Sequence, residues 1–484
     1  MWIGAPAAYG AHVPTSRRSV RTAAIWGVVG LAGALGVTAA AQPVLAHPQP
    51  YPLTRVNVST AEREADAATR PGVGISASGR FVVFASSANN LVAARFPGPP
   101  PGVADIFIRD MTSGTTGLVS VDATGAWSPA DSAEPSVSDD GDLVVLTTAA
   151  SLTPADTNGV SDVYLRTRSA GTTTLVSRDG SGVVGDAASS QPMISADGSV
   201  VVFASEATNL VASDTNRRRD IFVADLAAGL VDRVTMAWTG AEGDEDSGEP
   251  AVSSDGRYVV FSSEATNLVP ADDNDTEDVF LVDRDAGGIE RVSVWGANVF
   301  RPEQFYGRSG SPSVSADGRY VVFETAADLN RPPPVKIVDN NGTVDVVRRD
   351  RTAGEITLVS ESRWGRLTAG GTSRYPRISA DGRVVTFESA AEDLDWDSGN
   401  GYVDVFVWGG ASPVSMRWGF IDGNGASGRP AIDGTGSRIA FTTAANNLVP
   451  LDCNGVVDVL VSERTGYPTP PEGPFEPCTP PVPE

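Results

Sequence analysis

The stretch Pro250 to Gly288, PAVSSDGRYVVFSSEATNLVPADDNDTEDVFLVDRDAGG, sets the pattern for most of the chain. Val252-Ser253 is expected to be a strand entering Ser254-Asp255-Gly256-Arg257, a polar turn in which Gly256 supplies the positive φ of a tight hairpin. Tyr258-Val259-Val260-Phe261 then leaves the turn as a second strand. These four residues are apolar without alternation, so both faces of the strand should be buried. Asp278 to Val282 reads as a third strand, Asp283 to Gly288 as a second turn, and Ile289 to Val294 as a fourth strand. A lone four-stranded sheet of about sixty residues cannot cover both its faces, so repetition has to supply the partners.

Copies of the second strand end at Phe84, Leu146, Phe203, Phe261, Phe323, Phe387 and Phe441, spaced between 54 and 64 residues apart. Seven such units predict an all-β fold, a β-propeller of seven four-stranded blades, because radial closure leaves few exposed sheet edges. An open solenoid of the same units would leave two apolar faces uncovered. Both chain ends fit closure. Arg55-Val56-Asn57-Val58-Ser59 matches the fourth-strand ends Leu118-Val119-Ser120, Leu175-Val176-Ser177 and Leu358-Val359-Ser360, while the last unit stops after its third strand, Asp458 to Ser462. The N-terminal strand is therefore expected to complete the last blade.

The S-A-D-G-R-x-V-V-F and D-V-F-x-x-D-x-x-x-G elements resemble the PD40 (WD40-like) repeats of TolB-type propellers, whose turn is usually S-P-D-G, over residues 55–466. That repeat class hosts periplasmic scaffolds, peptidase propellers and surface proteins, so the resemblance implies a fold more than a task. The sequence shows neither the α/β domain that precedes the propeller in TolB nor a hydrolase domain after the repeats.

Residues 1–46 have the make-up of an export signal: Arg17, Arg18 and Arg21 precede an uncharged apolar run from Ala23 to Ala41, and Val44-Leu45-Ala46 fits a small-residue cleavage site. The paired arginines resemble a twin-arginine signal, and the alternative is an uncleaved anchor. The expected order is thus a signal at 1–46, a lead-in at 47–54, the propeller at 55–466 and a Pro-rich tail at 467–484, in an extracellular, wall-associated or periplasmic protein with no membrane span after cleavage. Cys453 and Cys478 are expected to form a disulfide pinning the tail, as exported proteins allow. Loss of three leader arginines and no acid moves the formal charge from −24 to −27, which disfavours nucleic acid as a partner.

The most repeated chemistry lies before the third strand. Asp156-Asn158-Asp162, Asp214-Asn216-Asp220, Asp272-Asn274-Asp278, Asp339-Asn341-Asp345 and Asp452-Asn454-Asp458 share the spacing D-x-N-x-x-x-D. Blade six keeps Asn400 and Asp404 with Asp395 and Asp397 nearby, and blade one keeps only Asp105. Oxygen ligands on alternate residues suit a hard cation such as Ca²⁺, though these loops lack the distal bidentate Glu of an EF-hand. Asp and Asn also repeat wherever a loop is held by Asx-turns, and that reading stands beside the first.

These loops share one face with the links between blades, which carry Trp127, Trp238, Trp295, Trp364 and Trp418 as well as Phe305, Tyr306 and Tyr375. That face is the expected ligand face. Five link tryptophans also suit one shared structural job, packing over the seams between blades. The only histidines are His12 and His47, so no embedded Ser-His-Asp, Cys-His or multi-His zinc arrangement is expected. Lys336 is the only lysine. Paired carboxylates for glycoside chemistry remain as the enzymatic alternative, drawn from Glu242, Asp244, Glu245, Asp246 or Glu303. The expectation is a monomeric binding or scaffold propeller for a protein or cell-envelope glycan, with Ca²⁺ as the one candidate cofactor.

Overall fold

The computed structural model describes residues 52–93, 100–296, 303–330, 337–365, 367–394, 400–409, 418–419, 423–450 and 452–464. Residues 1–46, expected as an export signal, the tail with Cys478, and Asp395, Asp397 and Lys336 lie outside the described residues. Every regular element among the described residues is a strand, and seven four-stranded antiparallel sheets follow one another around a ring inside Pro48–Glu484. No described helix is long and apolar enough to cross a membrane.

Blade four shows how the repeat becomes a sheet. Its strands are Ser247–Val252, Tyr258–Ser263, Asp278–Asp283 and Gly288–Arg291, running from the channel outward. The first two extend beyond the apolar residues because Ser247 and Ser263 pair at the strand ends and their hydroxyls bond each other at 2.8 Å inside the sheet. Outermost, the fourth strand stops at Arg291 rather than Val294, since Val294-Trp295 turns back to pair with Glu303-Gln304.

The unalternated second strand is buried on both faces, as its composition requires. Val259 and Phe261 pack with Val202, Ile221 and Val223 of blade three, whereas Val260 packs with Val321, Phe323 and Val347 of blade five. Successive side chains of one strand thus serve two different seams. Within the blade, Phe261 and Phe280 stack with centroids 5.8 Å apart, and Phe84–Phe107, Phe203–Phe222 and Phe387–Phe406 repeat the contact at 5.8 to 5.9 Å.

The ring closes through the N-terminal strand. Leu53–Arg55 lies antiparallel on Asp458–Glu463, with Arg55 opposite Leu460, and completes the sheet formed by Ser427–Ile432 and Arg438–Thr443. Within the matched segment Arg55-Val56-Asn57 occupies the places of Leu118-Val119-Ser120. Asn57 decides this, because its side chain donates to Asp458 at 2.6 Å and accepts the Val459 amide at 3.0 Å. At the S-x-D-G end, neighbouring turns bond directly, as in Asp139 N to Ala196 O at 2.8 Å and Ala380 N to Gly434 O at 2.9 Å. Gly434 N to Ala77 O, at 2.8 Å, carries the series from the last blade to the first.

Candidate functional site

The repeated acids lie at the opposite end of the ring, where second-to-third-strand loops meet the interblade links. In each complete copy the Asn acts as a staple. Asn158 Nδ2 donates to Asp162 and to Gly185 O in the following link, at 2.7 and 2.8 Å. Asn216, Asn274, Asn341, Asn400 and Asn454 likewise reach Gly243, Phe305, Ala369, Gly423 and Ala65, the last spanning the closure. The third-strand Asp then takes a hydroxyl from the outer strand's end: Ser120 to Asp105, Ser177 to Asp162, Ser293 to Asp278 and Ser360 to Asp345 at 2.5 to 2.9 Å. Asn57 fills that role for Asp458.

Three copies hold an internal cation between their two aspartates. Arg233 stands 3.1 Å from both Asp214 and Asp220, and Arg291 stands 2.5 Å from Asp272 and 3.3 Å from Asp278. In the last blade Arg55 lies 3.5 Å from Asp452 and 3.3 Å from Asp458, and also pairs with Glu64. All three arginines occupy the outer-strand position held by Leu118, Leu175 and Leu358 elsewhere. In blade two the Tyr164 hydroxyl donates to Asp156 instead. A Ca²⁺ ion does not fit between the arginine-bridged pairs, because a guanidinium already stands there. Among the described residues no group of three or more His, Cys, Asp or Glu side chains is arranged to hold a metal ion.

Blade five has neither arginine nor tyrosine at these places. Burial pushes Asp345 up to about 7, against the hydrogen bond from Ser360 and with Asp339 adding repulsion. Asp105 is likewise pushed up to about 7 by burial, with Ser120 opposing and Asp131 reinforcing. Both values are raised above the unfolded carboxylate value of about 3.9. Their contribution to stability is therefore full below about pH 4 and is lost as pH rises toward 7. The expected result is a Tm that falls by several degrees between pH 5 and 8, with a visibly shallower fall in Asp345→Asn; equal slopes in the two proteins would contradict the assignment.

Inside this rim lies the mouth of the central channel. Six innermost strands carry a Ser-x-x-Pro segment, and the residue before each proline takes a left-handed backbone: Glu134, Gln191, Glu249, Ser311, Tyr375 and Arg429, with φ between 49° and 56°. Gly72 is the counterpart in blade one, at φ 112° and followed by Val73. Such a conformation costs about 1–3 kcal/mol per residue and persists only where the surroundings impose it. Here the imposing contact comes from neighbours. Gln191 N donates to Glu134 at 2.7 Å, Glu249 N to Gln191 at 2.8 Å and Ser311 N to Glu249 at 2.6 Å. Beyond the short Ser311, the second-strand residues Glu324 and Glu388 take over, accepting from Tyr375 N at 3.0 Å and Arg429 N at 2.8 Å. These seven residues, with Pro135, Pro192, Pro250 and Pro312, line a cavity of about 280 Å³. Sequence reasoning passed over this ring; its signal is Ser-x-x-Pro, repeated around a residue that never repeats its chemistry except as Glu134 and Glu249.

The link tryptophans do not share one job. Trp127 is buried and packs edge-on against Phe107 at 6.2 Å, and Trp295 lies 4.9 Å from Phe305. Trp238 and Trp364 sit nearer their hairpin tips and are each 62% exposed, so they cover no seam. Trp418 pairs with Val407 through its backbone, and its side chain lies outside the described residues. The candidate acid pairs are likewise separate. Glu242 accepts from Thr215 and Arg233, bonds that outweigh burial and hold it at about 2. Asp244 caps Thr266, Glu245 pairs with Arg218 at 2.8 Å, Asp246 accepts from Arg219 N at 3.0 Å, and Glu303 lies in the short hairpin with Trp295. Cys453 is disulfide-bonded, and Cys478, the other cysteine of the sequence, lies outside the described residues.

No protein-family model matches the sequence. No curated protein matches it either. Solved structures do. An oligogalacturonate lyase in complex with manganese is similar with a TM-score of 0.50 at 10% identity, over 86% of this chain and 96% of that one. TolB from Acinetobacter baumannii gives a TM-score of 0.34 at 14% identity over 75% of this chain and 61% of that one. A putative TolB from Agrobacterium tumefaciens gives 0.38 at 15% identity over 72% and 94%. These identities bear on fold alone. In its ring of seven four-stranded blades and its repeated S-A-D-G turns, the chain is a seven-bladed β-propeller consistent with the TolB/PD40 type.

Proposed function

We infer that the chain is an exported, non-enzymatic binding propeller that receives its ligand, a protein or cell-envelope glycan, at the channel mouth on the acidic face. One observation carries this reading: seven structurally equivalent positions converge on one opening, yet present Gly, Glu, Gln, Glu, Ser, Tyr and Arg. Positions that only build the blade repeat their residue, as the staple Asn and third-strand Asp do. Unrepeated polar chemistry on a strained, rigidly bonded ring fits recognition. In the same reading the D-x-N-x-x-x-D loops are struts satisfied by Asn, Ser and Arg, and the ring requires no Ca²⁺.

Support for the alternative, a carbohydrate-active enzyme with paired carboxylates, is weaker. The acids of the 242–246 cluster are each committed to a different contact, Glu242 to Thr215 and Arg233, Asp244 to Thr266, Glu245 to Arg218 and Asp246 to Arg219 N. The test is binding of the full chain to arrays of cell-envelope glycans and of peptides. Tyr375→Ala is expected to abolish capture at unchanged Tm and Gln191→Ala to abolish it at a Tm lowered by the lost bond to Glu249 N, while Trp238→Ala and Trp364→Ala leave it intact. Capture lost only in the tryptophan variants, or cleavage of a captured glycan, would overturn the reading.

A further inference from the structure

One side chain in the channel has no counterpart in the other blades. The position directly after the proline of each innermost strand holds Ser136, Met193, Ala251, Ser313 and Ala431, with Gly74 in blade one. Blade six places Arg377 there. It lines both the mouth cavity of about 280 Å³ and the adjoining channel space of about 190 Å³, and so stands between the two. Its one hydrogen bond runs to the adjacent Pro376 O at 2.9 Å, and among the described residues it forms no ion pair.

Two further groups stand beside it. The Arg429 guanidinium lies over the Tyr375 ring, 3.6 Å from its centroid, and among the described residues neither that guanidinium nor the Tyr375 hydroxyl has a hydrogen-bond partner. The mouth therefore brings together two planar cations and a phenol whose donors, apart from the Arg377 bond to Pro376 O, the described residues leave unused. The nearby acids are committed elsewhere: Glu249 to Ser311 N and Glu324 to Tyr375 N. Burial lowers the pKa of Arg377, with Glu249 and Glu324 acting in the opposite direction. A half-buried cation without a partner is unfavourable, and an incoming anion relieves that cost.

We propose that Arg377, with Arg429 and Tyr375, forms a carboxylate-binding site in the channel mouth, for a ligand group of single-residue or single-sugar size. The planar guanidinium fork matches a carboxylate with two parallel hydrogen bonds. With Glu249 and Glu324 close by, a monoanion fits the local charge better than a phosphate dianion does. The prolines, Met193, Ala251 and Val252 form an apolar wall for the rest of the ligand. The inference rests on the channel mouth being the binding site, and it names what that site recognises.

The experiment is calorimetric titration of the full chain with N-acetylalanine and glucuronate, against N-acetylalaninamide, glucose and inorganic phosphate. At least one carboxylate is expected to bind, with its uncharged counterpart at least tenfold weaker and phosphate weaker than the carboxylate that binds. Which of the two binds says whether the group comes from a peptide end or a sugar acid. Arg377→Met should weaken binding at least tenfold without lowering Tm, because no internal ion pair is lost, and Arg377→Lys should restore part of it. Equal binding of the uncharged probes, preference for phosphate, an unchanged Arg377→Met, or no carboxylate binding at millimolar concentration overturns the proposal. Should Gln191→Ala still abolish capture on the arrays in that case, binding at the mouth stands and only the carboxylate assignment falls.

Discussion

Replacing Arg55 by Ala lowers the stability of the ring by about 3–5 kcal/mol, the cost of stripping one partner from a buried charge cluster. The Asp452 and Asp458 side chains are 3% and 0% exposed, and the one cation between them sits on the strand that closes the ring. Without it, Asn454 and Asn57 still donate hydrogen bonds to Asp458, but the two carboxylates lose the positive charge that Arg55 places between them. Burial and Asp458 already push Asp452 up to about 6, with Arg55 opposing, so the loss should shrink as pH falls from 8 to 5 and protonation removes the repulsion. Chemical denaturation at both pH values measures this. The pair of the half-exposed Arg80 with Asp110, at 2.7 Å, is the control, and Arg80→Ala should lower stability far less than Arg55→Ala does. Equal effects of the two substitutions would mean that Arg55 does not hold the closure.

What the sequence displayed and what it hid follow from how far a residue's role extends beyond its own repeat. Val259, Val260 and Phe261 announce a doubly buried strand because four of the seven copies repeat Val-Val-Phe and the others stay close to it, and closure was visible in the kinship of the N-terminal segment with Leu118-Val119-Ser120. Its register was not, since Asn57 replaces a serine and Arg55 a leucine, and two near-matches of Val lie two residues apart. The aspartates stood out by repetition, whereas the arginines that answer them, Arg55, Arg233 and Arg291, occur in only three of the outer strands. The channel mouth was hidden more deeply. Glu134, Gln191, Tyr375 and Arg429 are ordinary surface residues along the chain, and only the ring brings them to one opening.

The second large effect concerns Asp278, which is fully buried and accepts from Ser293 at 2.5 Å, Asn274 at 2.8 Å and Arg291 at 3.3 Å. Asp278→Ala leaves three donors in blade four short of their acceptor and should cost about 3–5 kcal/mol. That loss alone is expected from a strut and from a metal ligand alike. Thermal unfolding of the wild-type chain and Asp278→Ala, each in EDTA and again in millimolar Ca²⁺, separates the two. With the acids satisfied from within, the wild-type Tm is the same in both buffers, and the variant is lowered equally in both. A wild-type Tm that rises with Ca²⁺, and a rise that Asp278→Ala abolishes, would contradict the internal arginines and make the repeated loops cation sites.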